Sequence, residues 1–429
     1  MSDEASAAER PANVIVVGGG VAGLVAARDL ARAGVRVTVL ESSERFGGQL
    51  QRHTVGGIEL DAGAEAFATR GGTVQALAEE LGLADAVVAP SDAGAWLQRS
   101  SGDAVPLPAT SILGIPGTPL ASDVIRVIGW WSALRAFADA LLPSVVGAKK
   151  TTLGEFVRVR MGRAVVDELV APVARGVHSA QPDELELDRV APGVRIALLR
   201  EGSLARGVRD LRAKAPAGSA VLGLRGGVAR LVDELVADLR LAGATLRTRA
   251  HVESVGPDVV VVDGERMPGR VLVAAAGFTG DDAATPTTVT VVTLVVQQSA
   301  LDTAPRGTGV LVAQGAPGVR ARALTHVTAK WPWLAERAGG RHVLRLSYDR
   351  VGDDWREVAR ADAAVLLGVE LPTGAVIDAA RVEWTRRGAA DALDGVAGVG
   401  EWTAGTGLAA VVRQAREQAG RMLHGPDVP

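Results

Sequence analysis

The stretch Val14-Ile-Val-Val-Gly-Gly-Gly-Val-Ala-Gly23 decides how this chain folds, together with the alanine-rich run to Ala33 and Gly34-Val-Arg-Val-Thr-Val-Leu-Glu41. Four consecutive apolar residues at 14–17 predict a strand buried on both faces. Gly18, Gly20 and Gly23 fill a G-x-G-x-x-G spacing, Val21 and Ala22 begin a helix, and Gly34 is placed to cap it. Residues 35–40 predict a second strand that delivers Glu41. Each part has a physical task. Gly18 lets the chain turn tightly, Gly20 lets backbone approach a pyrophosphate, Gly23 lets helix and strand pack closely, and the helix N-terminus faces the phosphate charge. Glu41 lies 18 residues after Gly23, close to the spacing of an acid that accepts hydrogen bonds from an adenosine ribose. Its charge repels a 2′-phosphate, so NADP is not expected. A glycine triplet alone is a common turn. Strand, glycines, helix, strand and acid in this order specify a dinucleotide site.

The residues beyond Glu41 favour FAD over NAD. The loop Glu44-Arg-Phe-Gly-Gly-Gln49 brings Arg45, Gly47, Gly48 and Gln49 to the same phosphate region, and the planar guanidinium fork suits a phosphate. Ile58-Glu-Leu-Asp-Ala-Gly-Ala-Glu65 predicts a short strand and a small-residue turn, where Gly63 and Ala64 let backbone lie against a flat ring. The far end of the chain supplies a third piece. Gly400, Glu401, Thr406, Gly407 and Leu408 lead into a helix with apolar residues at 408, 411, 412, 415, 419 and 422. Such a helix start offers unpaired N–H groups and a positive dipole end, which stabilise the negative charge that a flavin gains on reduction.

Composition narrows the alternatives. The chain has 429 residues, 48% of them hydrophobic, and a formal net charge of −3, which gives no basic surface for nucleic acid. It contains no cysteine, so disulfides, thiolate metal sites, catalytic thiols and a cysteine-linked flavin are excluded; FAD is expected to be bound non-covalently. The six histidines are scattered and suggest no metal site. The first twelve residues are polar and acidic, unlike a secretory signal, and a cytoplasmic protein is expected. Residues 124–146 are broken by Arg126, Arg135, Asp139 and Pro143 and read as helices, although Trp130 and Trp131 leave peripheral membrane contact open. Nothing in the sequence specifies an oligomeric state.

Three further segments carry a resemblance. They are Leu169-Val-Ala-Pro-Val-Ala-Arg-Gly-Val-His-Ser-Ala-Gln-Pro-Asp-Glu-Leu185, Leu224-Arg-Gly-Gly-Val-Ala-Arg-Leu231, and residues 325–331 with Lys330 beside Trp331. With the FAD segments, the chain resembles the protoporphyrinogen/coproporphyrinogen oxidase family of the flavin amine-oxidase superfamily, from about Asn13 to Leu423. The resemblance implies an α/β protein. Its Rossmann-like FAD-binding domain is built from discontinuous segments 1–87, 220–277 and 386–429. An interleaved α+β substrate-binding lobe is made from 88–219, mostly helical, and 278–385, strand-rich. Residues 245–255, 259–262 and 270–275 are expected to complete the FAD-domain sheet.

The resemblance also implies a reaction: oxidation of coproporphyrinogen III or protoporphyrinogen IX, with oxygen as acceptor, in haem biosynthesis. It places Val252 against the adenine and Trp384 beside the flavin. Arg70 is the candidate for a substrate propionate, against a solvated surface arginine. His178 is a candidate cavity-lining residue or base, and Lys330 a second attractor of propionates. One stretch departs from the family: between Trp384 and Gly398 the chain is short, with Thr385-Arg-Arg-Gly-Ala-Ala-Asp-Ala-Leu-Asp394 in place of the usual proline- and histidine-containing segment. The competing readings are an amine or amino-acid oxidase, a carotenoid-type desaturase, and an FAD-binding protein without activity. Amine oxidases commonly present aromatic rings over the flavin; this chain has a single tyrosine, Tyr348, and only Trp402 near the carboxy-terminal motif, which weakens that reading.

Overall fold

The computed structural model describes residues 13–69, 71–214, 221–278, 287–386, 393 and 395–424. Val14 and Val16 enter one hydrophobic core, while Ile15 and Val17 enter another. That alternation is the period-two geometry of a strand covered on both faces. The strand Asn13–Val17 is central in a five-stranded parallel sheet ordered Thr245–Arg247, Arg36–Leu40, Asn13–Val17, Arg270–Val273 and Ala397–Gly398. Three distant stretches of sequence therefore meet in one sheet. Helices Val21–Arg32, Arg230–Leu241 and Leu408–His424 cover one face. Gly34 ends the first of these in a Schellman arrangement, with its N–H on Ala31 O (2.9 Å) and that of Val35 on Leu30 O (3.2 Å).

A charged cluster ties these helices together. Arg28, only 1% exposed, donates from Nε to Asp238 (2.5 Å) and from Nη1 to Glu80 (2.7 Å), and Arg416 forks onto Glu80 at 2.9 and 2.8 Å. The Glu80 carboxyl lies below its ordinary range, because the Arg416 and Arg28 guanidinium groups outweigh the burial that would raise it.

The expectation that 245–255 forms one strand of this sheet is corrected. Arg249 takes a left-handed φ of 55° and breaks the run. Thr245–Arg247 stays in the parallel sheet, whereas Val252–Val255 joins Val259–Val262 and Glu265–Pro268 in a separate antiparallel sheet over the other core.

The second sheet has seven strands in the order Val376–Arg386, Thr287–Val296, His342–Tyr348, Ala323–His326, Gly309–Val312, Trp96–Gln98 and Ala104–Pro106. The last two come from the stretch expected to be mostly helical, whose helices run from Ser122 to Lys214. Trp96–Gln98 pairs in parallel with Gly309–Val312, far away in sequence, and long-range pairing of short strands leaves little local signal. The remaining helices between 122 and 214 close on their own core around Leu153, Phe156 and Leu169. A pair with no solvent exposure, Arg160–Asp139 at 2.6 Å, is satisfied there by Ser203 Oγ and the Ala205 N–H. The hairpin Arg52–Val55/Ile58–Asp61 joins the two halves, since Val55, Ile58 and Leu60 pack with Val295 and Val343 of the seven-stranded sheet.

Candidate active site

The glycine turn is shaped as its spacing requires. Gly18 has φ +108°, and a Cβ there would lie 2.8 Å from Ala275 N. A Cβ on Gly23 would overlap the Gly18 carbonyl. Gly20 caps the first helix with no side chain bonded over it, and Gly47 bonds back to Gly19 O at 2.8 Å, so the Arg45–Gln49 loop lies along the turn. Val21 and Ala22 form the helix start. The Glu41 carboxylate accepts from Gly19 N–H and Ser43 N–H, each at 2.8 Å, which fixes its oxygens at the rim of the glycine turn. Ala250 N–H bonds Glu41 O at 2.9 Å and brings Val252 to the same edge. The Arg45 side chain is exposed.

The three expected cofactor segments converge. Gln49 Nε2 reaches Glu401 at 3.3 Å across 352 residues of sequence. Gly63 packs so tightly on the Gln49 carbonyl that a Cβ would overlap it, and Trp384 Nε1 donates to Ala62 O at 3.3 Å. Gly400 has φ 131° and is anchored by Gln414, while Gly407 (φ 105°) precedes the helix Leu408–His424. Of the apolar positions expected in that helix, Val411, Val412, Ala415, Ala419 and Met422 are buried and Leu408 is half-buried.

The helical region rests on this carboxy-terminal motif. His178, the last residue of helix Ala171–His178, has Nδ1 3.5 Å from Thr406 Oγ1, and Arg189 donates to Thr403 O at 3.3 Å. Arg70 and most of the short 385–394 segment lie outside the described residues.

Lys330 is placed differently from a substrate anchor. Its ammonium is 2.7 Å from Glu65 Oε1 and 5.1 Å from the centre of the Trp331 ring, so its charge is already met inside the protein. Two residues not singled out in the sequence complete this cluster. Glu65 Oε2 accepts from Arg345 Nη1 (3.3 Å), and Arg345 Nη2 donates to the Gly63 carbonyl (2.7 Å) and the Ala62 carbonyl (3.3 Å). The Lys330 and Arg345 charges hold the Glu65 carboxyl below its usual range despite burial. Arg345 had a visible signal: it is the one charged residue between Val343 and Tyr348, flanked on each side by leucine.

These residues fit a flavin dinucleotide. Glycines admit backbone where the pyrophosphate and ring would lie, an acid stands at the ribose position, and Gly63 and Ala64 have no acceptor for their N–H groups among the described residues. The family model described as flavin containing amine oxidoreductase matches residues 21–286. The chain belongs to the flavin containing amine oxidoreductase family. As a member, it is an FAD-dependent oxidoreductase. A coproporphyrinogen III oxidase of Mycobacterium leprae is 31% identical over 86% of this chain and 82% of its own length. One from Propionibacterium freudenreichii is 30% identical over 71% and 67% respectively. Among solved structures, an Exiguobacterium protein provisionally named protoporphyrinogen oxidase superposes with a TM-score of 0.80, at 21% identity over 96% of this chain and 98% of that one. A putrescine oxidase reaches 0.64 at 15% identity, over 96% and 98%. The last two establish the shared fold.

Proposed function

We propose that this family member oxidises coproporphyrinogen III to coproporphyrin III, with protoporphyrinogen IX as a second substrate and oxygen as acceptor. The observation that carries this reading is the similarity to coproporphyrinogen III oxidases along most of the chain, including the central segment that folds against the carboxy-terminal cofactor motif. Bound FAD supplies a two-electron acceptor. Six electrons and six hydrogens leave the macrocycle, so three oxygen molecules become three of hydrogen peroxide.

The chain's own part is binding and orientation. Glu41 takes the ribose, the Gly18–Gly23 turn and the Arg45–Gln49 loop take the phosphates, and Val252 lines the adenine edge. Gly63, Ala64 and Trp384 back the ring, and Gly400 to Leu408 face its pyrimidine end. Arg70 is assigned to a propionate, and His178 to the wall of the substrate cavity where the helical region meets Thr406.

The two aromatics the sequence offers, Tyr348 and Trp402, are both withdrawn into hydrophobic cores. Trp402 is 3% exposed and packs with Ile15, Val17 and Val273, and Tyr348 is fully buried among Val292, Leu344 and Ala363. This favours the porphyrinogen over an amine. We place the reaction in the cytoplasm. Among the described residues no helix is long and apolar enough to cross a membrane; Trp130, Trp131, Phe137, Leu141 and Val145 are exposed, and we assign them to peripheral lipid contact. Anaerobic mixing of the holoprotein with coproporphyrinogen III should bleach the flavin, while putrescine should not; bleaching by the amine alone would reverse the assignment.

A further inference from the structure

The turn at 62–65 is held from behind by groups of the seven-stranded sheet and the segments that flank it. Arg345 bonds the carbonyls of Ala62 and Gly63, and Trp384 bonds the first of these as well. In a trans peptide the N–H points opposite to the carbonyl of the same unit. Drawing those two carbonyls toward Arg345 therefore aims the Gly63 and Ala64 N–H groups the other way. Neither has an acceptor among the described residues. Glu65 in turn fixes Arg345 through Oε2 and Lys330 through Oε1, and the three side chains are only 10–18% exposed. Charges so placed act through a medium less polar than water and are felt at short range. Two other titratable groups face the cluster. His53, whose Nε2 is buried without a partner, is pushed down to about 4 by burial and by Arg345, and so is neutral. Asp61 is raised by burial and is turned toward the N–H groups of Val228 and Ala229 (2.9 and 3.0 Å).

We propose that Arg345, held by Glu65, is a positioning residue that aims the Gly63 and Ala64 N–H groups at the flavin, and that the Glu65–Lys330–Arg345 cluster tunes the flavin's reduction potential. The proposal rests on the reading that this turn backs the flavin ring. Removing a positive charge destabilises the reduced, more negative ring, and removing the negative charge does the reverse. The two kinds of variant must therefore move the potential in opposite directions, which a merely structural role would not do.

The test is a dye-coupled reductive titration of the purified holoprotein, with FAD content measured after desalting. Arg345→Gln and Lys330→Gln should each shift the ratio of reduced to oxidised flavin at a fixed potential about tenfold toward oxidised, a fall of about 30 mV for a two-electron couple. Glu65→Gln should raise the potential by a similar amount. Arg345→Lys should hold the potential closer to that of the unaltered protein than Arg345→Gln does, yet retain less FAD on desalting than the unaltered protein, because the charge survives and the fork onto two carbonyls does not. If Arg345→Gln fails to fold, the opposite signs of Lys330→Gln and Glu65→Gln carry the test. FAD retained with unchanged potentials, or all three charge-neutralising variants shifting the same way, would overturn the proposal. An unaltered protein that takes up no FAD would instead overturn the flavin reading on which it rests.

Discussion

Gly20→Ala separates what the fold needs at the glycine turn from what the cofactor needs. Gly20 has φ −71° and ψ 174°, an extended conformation open to any residue. A Cβ built there meets nothing closer than Gly48 Cα at 3.9 Å, an ordinary van der Waals contact. The protein alone should therefore tolerate alanine, with a stability cost under about 1 kcal/mol from replacing a glycine helix cap. The added methyl instead occupies the space that backbone must leave for a pyrophosphate. Overpacking of that kind costs about 1–3 kcal/mol, which weakens FAD binding about 5- to 150-fold. Gly23→Ala should behave in the opposite order. Its Cβ overlaps the Gly18 carbonyl and lies 3.1 Å from Ala274 Cβ, so the apoprotein itself should lose about 1–3 kcal/mol. Urea unfolding of the apoproteins, paired with fluorescence titration of FAD, reads both effects. Unchanged FAD affinity in Gly20→Ala, at unchanged stability, would refute the placement of the pyrophosphate against this turn.

Asp139→Ala should cost about 3–5 kcal/mol in urea unfolding, because it strands a fully buried Arg160; a loss below about 1 kcal/mol would mean that water reaches the pair. His326, buried and 3.1 Å from His342, is pushed down to about 4 by burial and then by the His342 charge. Between about 6.5 and 4 the unfolded chain binds the proton that folded His326 refuses, so stability falls as pH drops through this window, by at most about 3 kcal/mol. His326→Gln should flatten that part of the stability–pH curve, and an unaltered slope would assign it to other groups. Trp131, 81% exposed, should contribute to lipid contact. Trp131→Ser should reduce co-sedimentation with anionic vesicles while leaving turnover of a soluble substrate unchanged, and equal sedimentation would remove Trp131 from that contact.

The glycine turn and the carboxy-terminal helix are legible in the sequence because their signals are local. Glycine spacing, a doubly buried strand and a 3.6-residue apolar period each fit within about twenty residues, and they locate the turn at Gly18–Gly23 and the helix Leu408–His424. The features that stay hidden depend on partners far away in the chain. A lone Arg249 in a left-handed conformation splits one apparent strand into two sheets. Trp96–Gln98 pairs locally with Ala104–Pro106, but it joins the large sheet through the distant edge that Gly309–Val312 offers it. Glu65 stands inside a turn that reads as small and flat, and its meaning emerges from Arg345, 280 residues later. The motif around Lys330 suggests an attractor of propionates, but no sequence pattern could show that its charge is matched from within by Glu65.

Aromatisation of a porphyrinogen by this flavin containing amine oxidoreductase is tested most directly by recording coproporphyrin fluorescence and oxygen uptake in parallel. Coproporphyrinogen III is added to the holoprotein, with a no-enzyme control for spontaneous oxidation. Fluorescence should grow well above the control, with three oxygen molecules consumed per porphyrin formed, and that excess should vanish when FAD is removed. Rates equal to the control, with oxygen consumed on addition of a primary amine, would contradict the assignment.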